Sequence, residues 1–166
     1  MWGEVGGIPA KGGAALFRGI NALNLDAKGR LAIPARYREQ LRERGEDQLV
    51  VTIDPNLGCL FLYPYGDWVE LEREIMRMPS LQPMVRKLQL ILVGHATECE
   101  LDRQGRILVP PLLRSAAALD KRVVLIGQGK KLELWDESKW NETSSQWLSE
   151  GLGSPELGAA LSQLAL

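Results

Sequence analysis

The chain has 166 residues, 45% of them hydrophobic and 25% charged, with a formal net charge of −1. That length suits one domain or two very small ones, and the composition is that of an ordinary globular protein. A net charge near zero excludes a bulk electrostatic pull toward nucleic acid, so any anion-binding surface must come from local clustering.

Residues 1–16, MWGEVGGIPAKGGAAL, lack periodicity and read as a flexible leader outside the fold. The PAKGG within them lacks the spacing and the Lys-Ser/Thr ending of a phosphate loop. No apolar run follows a basic start, so no secretory signal is expected. The first ordered stretch, INALNLDA (Ile20–Ala27), alternates as a half-buried strand should. A turn then leads into RLAIP, a short apolar strand stopped by Pro34. Pro34 opens a predicted helix, PARYREQLRERG, because a proline in the first turn lacks only an N–H that would have no partner there. Two further strands follow, in QLVVTID and in CLFLYPYGDW. Two linker helices come next, DWVELEREIMRM, ended by Pro79, and PMVRKLQLILVG. The apolar LQLILVG in the second is far below the roughly 20 residues of a membrane span.

The pattern then begins again. ATECELDR precedes RILVP, then a predicted helix PPLLRSAAALDK, then RVVLIGQ and KLELWDESKW. LDAKGRLAIPARYR aligns with LDRQGRILVPPLLR at one constant offset: Asp26 with Asp102, Gly29 with Gly105, Arg30 with Arg106, Pro34 with Pro110 and Arg38 with Arg114. Further on, Leu60, Leu62, Tyr63 and Trp68 match Leu132, Leu134, Trp135 and Trp140 at a smaller offset, so the second copy has the shorter intervening loop. A last helix is predicted from Asp136 to about Leu148, before GLGSPELG breaks it; the final residues form one short amphipathic turn or none. A unit of roughly 45 residues is too small to bury a good core alone. The repeat therefore predicts two interlocking halves of one small β-barrel with flanking helices, a mainly β member of the α+β class.

Asp followed by AKG or RQG is turn chemistry: the carboxylate bonds the downstream backbone, and Gly accepts a positive φ. The flanking strands are expected to pair as a hairpin. The bland reading of the Asp–Arg pair is a surface turn with an ion pair worth about 0–1 kcal/mol. Around copy one stand Arg18, Lys28, Arg30, Arg36, Arg38, Arg42 and Arg44, whereas acids gather on the first linker helix (Glu70, Glu72, Glu74) and near the C-terminus. Such polarity fits phosphate contacts with base reading by arginine, although Arg42 and Arg44 read better as helix-surface charges paired with glutamates. No other chemistry is legible. His95 is the single histidine, with no partner at metal-ligand spacing. No nucleophile–His–acid set and no Gly-x-Ser-x-Gly elbow is present. Cys59 and Cys99 read as buried small residues, and Trp68, Trp135, Trp140 and Trp147 as packing anchors.

FRGINALNLDAKGRLAIPARYR, CLFLYP, LILVGHATECELDRQGRILVPPLLR and KLELWDESKW resemble the MraZ proteins of bacteria, from Phe17 to at least Trp140. The resemblance implies two pseudo-symmetric swapped-hairpin units of the SpoVT-AbrB type: unit one over residues 20–67, linker helices over 68–95, unit two over 96–139, then a C-terminal helix and tail over 140–166. It implies a cytoplasmic, nucleoid-associated regulator, with repression the expected direction. The regulator would act on the division and cell-wall gene cluster, its own gene included. It would bind G-rich direct repeats in double-stranded promoter DNA as a ring-shaped homo-oligomer, with no cofactor, metal, membrane or small-molecule substrate. The candidate DNA contacts are Arg30 and Lys28 in copy one and Arg106 and Arg103 in copy two, with Asp26, Gly29, Asp102 and Gly105 orienting them. The competing readings are a protein-binding scaffold of the antitoxin type and an enzyme on a related barrel.

Overall fold

A computed structural model of the chain describes residues 16–151 and 153–164, so the leader lies outside the described residues except for Leu16. The first unit runs β1 (Phe17–Asn24), β2 (Arg30–Ala32), α1 (Ala35–Glu43), β3 (Gln48–Ile53) and β4 (Leu60–Pro64). Helices α2 (Tyr65–Arg77) and α3 (Pro83–Leu92) connect it to the second, which runs β5 (Thr97–Glu100), β6 (Arg106–Leu108), α4 (Pro111–Ala116), β7 (Arg122–Gly129) and β8 (Lys131–Asp136). Helices α5 (Glu137–Gly151) and α6 (Pro155–Leu161) close the chain. The expected elements are all present. The first strand begins upstream of its expected start, at Phe17, and the tail forms a helix capped by Ser154, whose hydroxyl accepts the Leu157 N–H at 2.9 Å.

Six strands form one sheet in the order β1-β7-β8-β4-β3-β5, and β2 pairs with β6 in a separate two-stranded ribbon. Exchanging the two units reverses that order onto itself, so the sheet has a pseudo-twofold axis between β8 and β4. The exchange also explains why the expected hairpin does not form. The Asp26 N–H donates to the Arg30 carbonyl at 3.0 Å and closes the turn, but beyond it the two strands part. β1 pairs with β7 of the other unit, β2 with β6, and β5 with β3. The reason lies in the core. Pairing β2 with β6 sets Leu31 directly against Ile107, and both are buried; each such side chain contributes about 1.5–3 kcal/mol on burial. The ladders among the described residues draw a sheet and a ribbon, and none of them closes β1 onto β5 into a barrel.

The core lies between sheet and ribbon and is filled from both units: Leu49, Val51, Leu60 and Leu62 from one, Val123, Leu125, Leu132 and Leu134 from the other. Helix α1 adds Tyr37 and Leu41, and α4 adds Leu113. Pro34 and Pro110 stand at the N-cap positions of these helices, one place earlier than expected, with Pro111 at the first helical position of α4. Both helices end in the same reverse turn. After α1 the Glu46 N–H bonds the Leu41 carbonyl and the Gly45 N–H that of Arg42; after α4 the Leu119 N–H bonds the Arg114 carbonyl and the Ala118 N–H that of Ser115. This double bond needs a left-handed residue at its first position. Gly45 fills it in one copy and Ala118, at φ 52°, in the other.

The tryptophans anchor the outer helices. Trp135 is buried at the base of α5, with the rings of Trp140 and Trp147 at 5.2 and 6.2 Å from it. Trp68 on α2 packs at 5.7 Å from Tyr63. Cys59 and Cys99 are free and buried; burial pushes both thiols up, Cys99 to about 11. The His95 ring closes the end of α3, with Nδ1 at 2.7 Å from the Ile91 carbonyl.

Candidate nucleic-acid interface

Each Asp-x-x-Gly-Arg stretch builds the same turn. The Gly29 N–H donates to the Asp26 carbonyl at 2.9 Å, and Asp26 Oδ1 accepts the amides of Lys28 and Arg30 at 2.9 and 2.8 Å. Its second oxygen accepts Nε of Arg30 at 2.6 Å. In copy two, Asp102 accepts the amides of Gln104 and Arg106, both at 2.9 Å, and Nε of Arg106 at 3.0 Å. The carboxylate thus organises the turn and grips the arginine by its inner nitrogen. Among the described residues no hydrogen bond to protein engages the terminal nitrogens of Arg30. The amide of Arg30 is the main cause that holds the Asp26 carboxyl down, to about 2; the amide of Arg106 acts the same way on Asp102.

The ribbon joins the two turns. Leu31 and Ile107 face the core, so Arg30, Ala32, Arg106 and Leu108 share its outer face. Arg30 lies opposite Leu108, and Ala32 opposite Arg106. The Ile33 N–H donates to Gly105 and the Val109 N–H to Gly29. That pattern makes both opposed pairs the non-hydrogen-bonded kind, in which side chains approach most closely. The two arginines sit on one diagonal, near enough for Arg106 Nη1 to lie 3.9 Å from Asp26 Oδ2.

Two arginines that sequence reasoning had placed in the repeat without a role support this face from below. Arg38 Nε donates to the Ile33 carbonyl, and Arg114 Nε to Val109. Each guanidinium then lies against the turn glycine of the opposite unit: a Cβ on Gly29 would stand 2.5 Å from Arg114 Cζ, and one on Gly105 would stand 2.4 Å from Arg38 Cδ. With φ of +85° and +76°, the two turns leave room only for glycine. The shared offset of Arg38 and Arg114 was the available signal.

The other expected contacts are less symmetric. Lys28 and Arg103 are exposed at the turn tips, without side-chain partners among the described residues. They are not equivalent positions, since Arg103 aligns with Ala27 and Lys28 with Gln104. Much of the basic cluster around copy one is occupied internally. Arg36 bonds Asn21 at 2.8 Å and lies over the Tyr37 ring, Arg42 pairs with Glu39, and Arg44 reaches Asp67 at 3.2 Å beside the ring of Phe17. Arg42 is thus a paired surface charge, as expected, whereas Arg44 is not: its guanidinium is mostly buried, over the Phe17 ring and against an aspartate across the fold. An open cleft of about 700 Å³ adjoins the first turn, between Asp26, Gly29, Arg114 and Lys121.

Duplication, exchanged strands and a ribbon capped by two acid-held arginines define a class of tandem-unit proteins, in which one chain supplies both halves of a pseudo-twofold surface. The family model described as "MraZ protein, putative antitoxin-like" matches twice, over residues 16–91 and 92–158. The chain is 53% identical over 151 residues to a protein of Thioalkalivibrio sulfidiphilus, covering 91% of this chain and all of that one, and 53% identical over 150 residues to one of Methylococcus capsulatus, covering 87% and 98%. A protein of Halorhodospira halophila is 51% identical over 152 residues, covering 91% of this chain and all of its own. All three carry the name transcriptional regulator MraZ. The chain belongs to the MraZ family.

Proposed function

We propose that the protein is a DNA-binding transcription regulator and not an enzyme, and that the outer face of the β2–β6 ribbon enters the major groove. The observation that carries this reading is the diagonal pair Arg30 and Arg106, each held through Nε by its own aspartate. A guanidinium fixed in this way offers its remaining donors in a defined direction, as a bidentate contact to guanine O6 and N7 requires. A two-stranded ribbon has the width to enter the groove. Arg30 is the central reader, Arg106 its counterpart, and Lys28 and Arg103 reach the flanking phosphates. Asp26, Gly29, Asp102 and Gly105 orient the arginines; an aspartate facing phosphate would repel it. The names of the relatives support the regulatory role.

The finer reading follows the family resemblance. The targets are G-rich direct repeats in the promoter of the division and cell-wall cluster, the protein acts at the nucleoid, and several protomers in a ring engage successive boxes. Multivalent engagement raises affinity by about 10²–10⁴ when spacing fits. The α2–α3 hairpin suits the head-to-tail contact that a ring needs: Leu81 is 98% exposed and Met84 74%, beside an apolar groove lined by Met76, Leu90 and Val93. The unit boundaries read from the sequence, and closure of sheet and ribbon into a barrel, belong to the same proposal.

A gel shift with the promoter upstream of the protein's own gene, against a scrambled duplex, tests the reading. Retention of wild-type affinity by Arg30→Ala would reduce the motif to a structural turn. The family description "putative antitoxin-like" favours a second reading, docking of a protein partner. Salt separates the two, since phosphate contacts weaken steeply as salt rises and an apolar interface does not.

A further inference from the structure

Under the pseudo-twofold, Arg30 maps onto Arg106 and Ala32 onto Leu108. The arginines are alike; the residues between them are not. Leu108 is 52% exposed on the outer ribbon face, directly opposite Arg30, in a pair of the closely spaced kind. Opposite Arg106 stands only the methyl group of Ala32. A large apolar side chain kept in water beside a held guanidinium does nothing for the core, because Leu31 and Ile107 already fill the inner face of the ribbon.

We propose that Leu108 is a specificity-determining residue, which packs on the 5-methyl group of a thymine next to the guanine read by Arg30, and that the Leu108/Ala32 difference gives the site its direction. This rests on the DNA reading above. In the major groove thymine presents a methyl group that apolar side chains contact. A ribbon with two equal halves would favour an inverted repeat. With leucine beside one arginine and alanine beside the other, the two ends of a box differ, so each protomer binds in one orientation. A protein that recognises boxes repeated head to tail needs such a polarity.

The test is selection from a pool of randomised DNA duplexes by the full chain, carried out with the wild type, Leu108→Ala, Ala32→Leu and Arg30→Ala. The wild type is expected to enrich a box with guanines at both ends and a thymine beside one of them. Leu108→Ala should keep the guanines and lose the thymine, while Ala32→Leu should gain one at the other end. Replacing that thymine with deoxyuridine should weaken wild-type binding about three- to fivefold, the worth of one buried methyl, and leave Leu108→Ala unaffected. A palindromic wild-type box, or the same box and the same uracil penalty with Leu108→Ala, would overturn the proposal while leaving the arginine reading intact. If nothing is enriched, or Arg30→Ala enriches the wild-type box, the DNA reading itself falls and this inference with it. Circular dichroism of each variant establishes that it is folded.

Discussion

The two units share one backbone plan and differ in how tightly it is closed. Asp26 is approached by Nε of its own arginine at 2.6 Å and by the guanidinium of Arg106 at 3.9 Å. Asp102 is approached by Arg106 at 3.0 Å, and no pair between Asp102 and Arg30 occurs among the described residues. The first turn is therefore the better anchored, and Arg106 is shared between two carboxylates. The helices differ in the same direction: α1 has 9 residues and ends at a glycine, whereas α4 has 6 and turns through Ala118. The shorter α4 and its turn line the cleft beside Asp26 through Arg114, Ser115 and Ala118. Duplication thus preserved the arginine pair and its supports Arg38 and Arg114 while the helix ends around them drifted.

The largest expected effect lies in the arginines. Arg30→Ala should cost about 1–3 kcal/mol of specific binding, the worth of one bidentate arginine–guanine contact, while the protein stays folded. Arg106→Ala should cost less, because two carboxylates compete for its guanidinium. Gel-shift titrations of both variants measure the ratio, and equal losses would mean that the extra carboxylate is irrelevant.

Gly29→Ala comes next. Its methyl group would strike the Arg114 guanidinium, and its φ is left-handed, which costs about 1–2 kcal/mol for a residue with a Cβ. Gly105→Ala should destabilise similarly through Arg38. Urea denaturation of the pair reports whether the two turns carry equal strain; no loss in either would mean that neither the left-handed φ nor the arginine contact strains the turn.

A smaller effect is expected at the helix ends. Ala118→Gly should raise stability by about 0.5–1 kcal/mol, relief of the left-handed strain exceeding the added freedom of the unfolded chain. Gly45→Ala should lower it by a similar amount. Thermal melting compares them, and a fall in the midpoint of Ala118→Gly would show that its methyl group packs usefully.

The subtlest difference is in acid. The Asp26 carboxyl is held to about 2, below its value of about 3.9 in an unfolded chain. Its contribution to stability is fully present above pH ~4 and is lost as pH falls through about 2. Carboxyl NMR titration should therefore place the Asp26 midpoint near 2. With Nε of its own arginine closer, at 2.6 against 3.0 Å, that midpoint should fall below the one for Asp102. Arg106→Ala should widen the gap, because Asp102 loses a guanidinium at 3.0 Å and Asp26 one at only 3.9 Å. Coincident midpoints would contradict the asymmetry.

Most elements and both turns were legible in the sequence, because local alternation, proline stops and Asp-x-x-Gly spacing act over a few residues. Strand partnership was not. Nothing within INALNLDA or RLAIP tells whether β1 pairs with β2 or with β7; the burial of Leu31 against Ile107 decides it, and that contact spans the units. The early end of α4 was hidden as well, since PPLLRSAAALDK contains no glycine to mark the left-handed residue that Ala118 supplies. The arginine site was visible through its repetition, but its diagonal placement beside Leu108 follows from the β2–β6 register, which a linear reading does not contain.

The exchanged strands also set a timetable. Phe17 pairs with Gly129 and Asn24 with Arg122, so the first strand to leave the ribosome finds its neighbour only when the seventh has emerged. At about 5–20 residues per second, the nascent first unit waits on the order of ten seconds with the edge of β1 bare and Leu31 uncovered. During that interval a neighbouring nascent chain, exposing the same strands, is an equally good partner. The covalent connection through α2 and α3 is what favours self-pairing over exchange between molecules, because it keeps the correct β7 at a high local concentration.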